Sequence, residues 1–226
     1  MSEDTETFEP LGTASRPAVG VPTHELALHK ALNSQFGRLF RPGSGRSVFL
    51  LQEAELGFGR PDGLVLAVSA IGLKSFVQRG LRLPSLAAAR SLTGDSSNVS
   101  EKHSRHLLRR LEEAGWTNRD LVQAAALVHD AIAIEAKMSD WKAAIRQASR
   151  YKVGAGRAAV LLPHRIGTLV EPRNLLAHGV GLLVEERQKI QWATPAPSSE
   201  ASPAQRAWLL ELLIRGLENG EAQRAT

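Results

Sequence analysis

The stretch Ile132-Ala-Ile-Glu-Ala-Lys-Met138 decides how the rest of the chain is read. Its alternation is that of a half-buried strand. Ile132, Ile134, Ala136 and Met138 fall on one face, and Ala133, Glu135 and Lys137 on the other. A carboxylate and an ammonium therefore project side by side from one strand face. Gly59-Arg-Pro-Asp62 is the natural companion, a tight connection leading into the apolar run Leu64 to Val68. If those two strands are neighbours, Asp62, Glu135 and Lys137 converge. Two carboxylates and a lysine suit a hard divalent cation and phosphate-ester chemistry.

Working outward, the spacing predicts a helix starting near Thr23 and running through Leu26, Leu28, Leu32, Phe36 and Leu39, then a strand from Val48 to Leu56. Arg41 to Gly45 is a turn that lacks the lysine-serine/threonine ending of a phosphate-binding loop. From Ser69 to Trp116 the pattern is helical throughout. Strand character resumes at Ala131 and a helix is expected from Asp140 to Lys152. Short strands follow at Ala158 to Leu162 and Gly179 to Glu185, then a linker from Thr194 and an apolar helix from Ala207 to Leu217. On the helix after Lys137, Trp141, Ala144, Ile145 and Ala148 form a buried stripe, with Gln147 and Tyr151 one turn apart beside it.

Asp62, then Glu135-Ala-Lys137, then Gln147-xxx-Tyr151, resembles the PD-(D/E)xK nuclease superfamily, in particular its RecB-like branch. The resemblance implies an α/β fold, a small restriction-endonuclease-like mixed sheet flanked by helices, with a Mg²⁺ or Mn²⁺ cofactor. It implies that Asp62 and Glu135 ligate the metal, with the Ala136 carbonyl as a further oxygen ligand. Lys137 would orient or activate the attacking water and stabilise charge on the phosphorane. Gln147 and Tyr151 would position the helix and the nucleic-acid backbone. Arg146 and Arg150 on that helix are further candidates for nucleic-acid contact. A glutamate on the first helix often joins such sites, and Glu25 is the weaker match here, with Glu53 and Glu55 as alternatives. In that superfamily a short hairpin usually separates the aspartate from the E-x-K. Here Glu135 lies 73 positions after Asp62, which requires an inserted domain.

The insert, residues 69–128, contains Val99-Ser-Glu-Lys-His-Ser-Arg-His-Leu-Leu-Arg-Arg-Leu-Glu-Glu-Ala-Gly-Trp116. This stretch resembles the second and third helices of winged helix-turn-helix domains. Lys102, Arg105, His106 and Arg109 lie at i, i+3, i+4 and i+7, and the resemblance implies that they face a major groove or phosphates. The same pattern also suits a charged face in a small helical bundle. His24-Glu25-xxx-His29 is one residue too long for the metalloprotease H-E-x-x-H, because histidines five apart do not share a helix face.

Composition sets the outer bounds. A chain of 226 residues with 43% hydrophobic residues suits one α/β domain carrying a smaller one. The absence of cysteine excludes disulfides, thiolate metal sites and a cysteine nucleophile. The acidic N-terminus is unlike a secretory signal, and no apolar run approaches a membrane span, so a cytoplasmic location with no membrane partner is expected. The net charge is +5, yet the first ten residues hold Glu3, Asp4, Glu6 and Glu9. A basic body behind an acidic tail is compatible with a polyanion and equally with an ordinary solvated surface.

The expected organisation is a disordered acidic tail at 1–22, a nuclease-like core at 23–68 and 129–192, and the insert at 69–128. A linker and a C-terminal helix would make up 193–226. The expected function is metal-dependent hydrolysis of phosphodiester bonds, in DNA, assisted by a DNA-binding module. The alternatives are a catalytically inactive nuclease-fold regulator that binds DNA, or an interaction protein. In the last, Trp208, Leu209, Leu212, Leu213 and Leu217 form a homodimer seam, although that helix equally suits packing on its own core.

Overall fold

The computed structural model describes residues 23–40, 45–56, 59–78, 118–199 and 201–225. The acidic tail and the Lys102, Arg105, His106 and Arg109 face lie outside the described residues. Helix α1 (Thr23–Gln35) and a short 3-10 turn (Phe36–Leu39) lead into β1 (Arg46–Leu51) and β2 (Gly63–Ser69). Helix α2 (Ala70–Gln78) follows, and α3 (Asn118–Leu127) comes next among the described elements. Then come β3 (Val128–Ala136), α4 (Trp141–Ala155), β4 (Arg157–Pro163), α5 (His164–Gly167) and α6 (Pro172–His178). The chain ends with β5 (Gly181–Glu186), β6 (Lys189–Thr194), α7 (Pro203–Glu218) and β7 (Ala222–Arg224).

The strands form one mixed sheet in the order β6-β5-β4-β3-β2-β1-β7. β1, β2 and β3 are an antiparallel meander, whereas β3, β4 and β5 run parallel. The parallel pairings need crossovers, which α4 and then α5 with α6 provide. Helices cover both faces. Leu28, Leu32 and Phe36 of the α1 segment lie over Val65, Ile132, Ile134 and Leu161. On the other face, α7 and α3 pack on Leu64, Leu66 and Ala133, and α4 with α6 packs on Val160 and Leu182. Double coverage explains why β2 and β4 read as unbroken apolar runs.

The observed architecture is thus an α/β protein with a helix-flanked mixed sheet, and it differs from the sequence expectation in several boundaries. β1 stops at Leu51 rather than Leu56, because the chain turns at Gln52-Glu53, where Glu53 adopts a φ of 49°. β6 reaches Thr194, and β7 pairs with β1 at the far edge. α7 starts at Pro203, four residues earlier than expected. Its N-terminus is a capping box in which the Ser202 hydroxyl accepts from the Gln205 N–H and the Gln205 side chain accepts from the Ser202 N–H. Trp208, Leu209, Leu212 and Leu213 are buried in the chain's own core, so only Leu217 of the supposed seam is exposed. Among the described residues no helix is long and apolar enough to cross a membrane.

Because Leu213 is fully buried against the sheet, Leu213→Ala should lower unfolding free energy by about 2–5 kcal/mol. Ser202→Ala, which removes only the cap, should cost about 1 kcal/mol. Urea unfolding of the two variants checks this order.

Candidate functional site

The turn before β2 is held by its backbone. Gly59 has a φ of 120°, which L side chains rarely adopt, and an added Cβ would come within 3.0 Å of the Tyr151 ring. Its carbonyl accepts from the Leu56 N–H at 3.2 Å. Pro61, buried, fixes the next φ and sets Asp62 at the mouth of β2. The β2–β3 register runs from Gly63 opposite Ile134 through Ala67 opposite Asp130, so Asp62 falls opposite Glu135. Asp62 Oδ2 accepts from the Ala136 N–H at 2.7 Å, completing the ladder with a side chain.

Glu135 is almost wholly buried, with 2% exposure. Its Oε1 lies 3.2 Å from Lys137 Nζ, and its Oε2 is 3.2 Å from the Tyr151 hydroxyl. Tyr151 projects from the buried stripe of α4, a helix started by the Asp140 carboxylate accepting from the Ala143 N–H. The same hydroxyl lies 3.2 Å from the Arg60 carbonyl. One phenolic hydrogen cannot serve both acceptors. The hydroxyl donates to Glu135 Oε2 or to the Arg60 carbonyl, so the two acceptors compete for it.

Burial, reinforced by the Asp62 carboxylate, pushes the Glu135 pKa up, and the bonds from Lys137 and Tyr151 offset only part of it. Burial works against the Lys137 ammonium, but Glu135, Asp62 and Glu25 outweigh it and hold its pKa above the ordinary lysine value. Lys137 is therefore a charged donor here, not a proton acceptor. Tyr151 is raised by burial and by Glu135, against a smaller opposing effect of the Gln147 amide, and stays protonated at neutral pH.

From the opposite face α1 delivers two more groups. Glu25 Oε1 is 3.4 Å from Lys137 Nζ, and His29 Nε2 is 3.9 Å from Asp62 Oδ1. The expected residues Asp62, Glu135, Ala136, Lys137, Gln147, Tyr151 and Glu25 thus meet in one place. His29 was passed over with the metalloprotease pattern. The signal for it was its i, i+4 spacing from Glu25, which puts both on one helix face. The Arg60 carbonyl, a backbone group, left no mark in the sequence. Glu55 instead pairs with Arg60 at 2.9 Å, and Glu53 is exposed. Arg146 and Arg150 are exposed on α4, and Arg146 borders a hollow of about 400 Å³ with Trp141, Lys142 and Arg173.

Among the described residues, no three His, Asp or Glu side chains form a ready-made ion cage. Mg²⁺ commonly takes only one or two protein carboxylates and keeps waters or substrate phosphate for the rest. Asp62 and Glu135, adjacent and mutually repelling, supply such a pair, so the donor set fits a hard divalent cation.

No family model and no curated protein matches the chain. A solved structure of a protein of unknown function from Silicibacter pomeroyi is similar at 21% identity and a TM-score of 0.33. The match covers 40% of this chain and 60% of that one.

A raised Glu135 pKa makes an explicit pH prediction. At low pH the group is neutral in both folded and unfolded states. As pH climbs through the ordinary glutamate range toward the raised folded value, only the unfolded state ionises freely, and folding stability falls. Metal-free wild type should lose thermal stability over this interval relative to Glu135→Gln, and the two curves should converge in acid. Tyr151→Phe removes a donor that favours the carboxylate, so carbon-13 NMR titration should find the Glu135 pKa higher still.

Proposed function

We propose that the chain is a Mg²⁺- or Mn²⁺-dependent nuclease of the PD-(D/E)xK type that hydrolyses phosphodiester bonds, in DNA. The carrying observation is that Asp62 bonds to the Ala136 N–H across 74 residues of sequence, opposite Glu135 and beside Lys137. The order α1, three antiparallel strands, α4 and a parallel fourth strand suits the restriction-endonuclease-like fold implied by the resemblance. The insert supports the reading as well. It leaves after β2 and returns before β3, at the end of the hairpin remote from Asp62, so its length does not disturb the carboxylate pair.

In this reading Asp62 and Glu135 would hold the cation, with the Ala136 carbonyl as a further oxygen donor. The cation would polarise the phosphate and ease deprotonation of water. Water, giving a proton up to solvent, would attack phosphorus as the bond to the sugar oxygen breaks, and that oxygen would take a proton from solvent. The Lys137 ammonium stabilises the negative charge that grows on the phosphoryl oxygens. Glu25 and Glu135 hold Lys137 in place, and Tyr151 with Gln147 ties α4 to the strand ends. Lys102, Arg105, His106 and Arg109 of the insert, together with Arg146 and Arg150, would contact the nucleic acid.

With Mg²⁺ or Mn²⁺ and DNA or RNA in single- and double-stranded forms, Asp62→Ala and Glu135→Ala should each lower cleavage by about 100-fold or more. Equal rates in wild type and both variants would sink the assignment.

A second reading is a nuclease-fold protein that binds DNA without cutting it. It is favoured by the engagement of both Glu135 oxygens, one by Lys137 and one by Tyr151. Calorimetry with Mn²⁺ separates the two. The nuclease reading expects binding that is lost in Glu135→Ala and strengthens as pH rises, because protons and cations compete for Glu135. The second expects no binding that depends on Glu135.

A further inference from the structure

The end of the sheet opposite Asp62 and Glu135 carries a different chemistry. Five residues along β3 from Glu135 lies Asp130, about 17 Å away at the rise of a strand. There the end of α1, the 3-10 turn and the first residues of β1 and β4 surround an open hollow of about 1340 Å³. Arg38, Arg46, Arg157 and Arg224 line it, with Asp130 as the one carboxylate among the described lining residues, and Trp192 forms part of the wall.

The arginines are disposed for a ligand that is not a small molecule. Arg157 is fixed, with Nη1 2.5 Å from Asp130 Oδ2 and its guanidinium 5.9 Å from the centre of the Trp192 ring. Its Nε is buried without a hydrogen-bond partner among the described residues. Arg224 Nη2 donates to the Ser47 hydroxyl at 3.0 Å, while Arg38 and Arg46 are exposed without an acidic partner among the described residues. The volume exceeds the range of roughly 300–1,000 Å³ typical of small-ligand pockets. Guanidinium groups match phosphate oxygens in pairs, and a half-buried indole offers a base a flat apolar surface. Helices α2 and α3 also meet the sheet at this end.

We propose that this hollow is a second nucleic-acid site, which takes a single-stranded segment with phosphates on Arg38, Arg46 and Arg224 and a base against Trp192, while Arg157, paired with Asp130, holds the indole in place. It stands on the hollow alone and does not require that Asp62 and Glu135 cut.

The test uses the full chain in EDTA, so that binding is read without cleavage. Fluorescence anisotropy of a labelled oligothymidylate should show the double variant Arg46→Glu/Arg224→Glu binding at least about 10-fold more weakly. Its salt slope should be lower by about 2, one per lost phosphate contact. Trp192→Ala should weaken binding about 5- to 100-fold. Nitrogen-15 spectra should show the Trp192 indole resonance moving on oligonucleotide addition, a local readout that holds even if one variant folds poorly. Unchanged affinity in the arginine variant with a still Trp192 resonance overturns the proposal, including the case in which the insert carries all the affinity. Loss of affinity in the arginine variant but none in Trp192→Ala also overturns it, leaving a generic polyanion surface.

Discussion

The constraint on which the candidate site depends is the burial of one carboxylate. Glu135 sits at 2% exposure on a strand that helices cover on both faces, where an isolated charge is expensive. Everything around it answers that cost. Lys137 and Tyr151 take its two oxygens, and Glu25 shares Lys137. Asp62 adds repulsion instead of relief, yet is itself anchored by the Ala136 N–H. Two carboxylates at such close quarters hold a proton or a cation far more readily than they hold two negative charges. The scaffold thus disfavours a second negative charge at this point.

The juxtaposition of Asp62 and Glu135 survives only if the register between β2 and β3 is kept. A slip by one residue would turn Glu135 and Lys137 to the other face and Ile134 toward the site. Leu64 and Leu66 pack under α7 while Val65 and Ile132 pack under α1, so both faces of the pair resist the slip. α7 is therefore part of the machinery that aligns Asp62 with Glu135. The insert is a lesser perturbation, because the entropy of closing a loop grows only logarithmically with its length. The register shift between Ala67 and Val68 lies at the remote end of the pairing.

Much of this was legible in the chain. The alternation from Ile132 to Met138 marked β3 and the shared face of Glu135 and Lys137, because a strand's side-chain period is fixed by its geometry. It pointed to a half-buried strand, whereas β3 ends at Ala136 and is buried on both faces. The i, i+3, i+4, i+7 stripe marked α4 and so carried Tyr151 to the site. Other features were hidden for physical reasons. Ala54 and Leu56 extended the apolar pattern of β1 but are buried in a loop. β7 is three residues long and gains its identity from pairing with β1. The apolar face of α7 reads the same whether it meets a partner or its own sheet, since hydrophobic burial has no direction.

By itself the sequence determined the periods: which residues share a strand face, which share a helix face, and hence that Glu135 goes with Lys137 and Gln147 with Tyr151. Those are local consequences of backbone geometry over a few residues. Only the tertiary structure decided that Asp62 lies opposite Glu135 across 74 residues to Ala136, that α1 brings Glu25 and His29 to them, and that four arginines gather at the other end of the sheet. Such meetings depend on strand order and helix docking, which the packing of the whole core selects and no short window of residues contains.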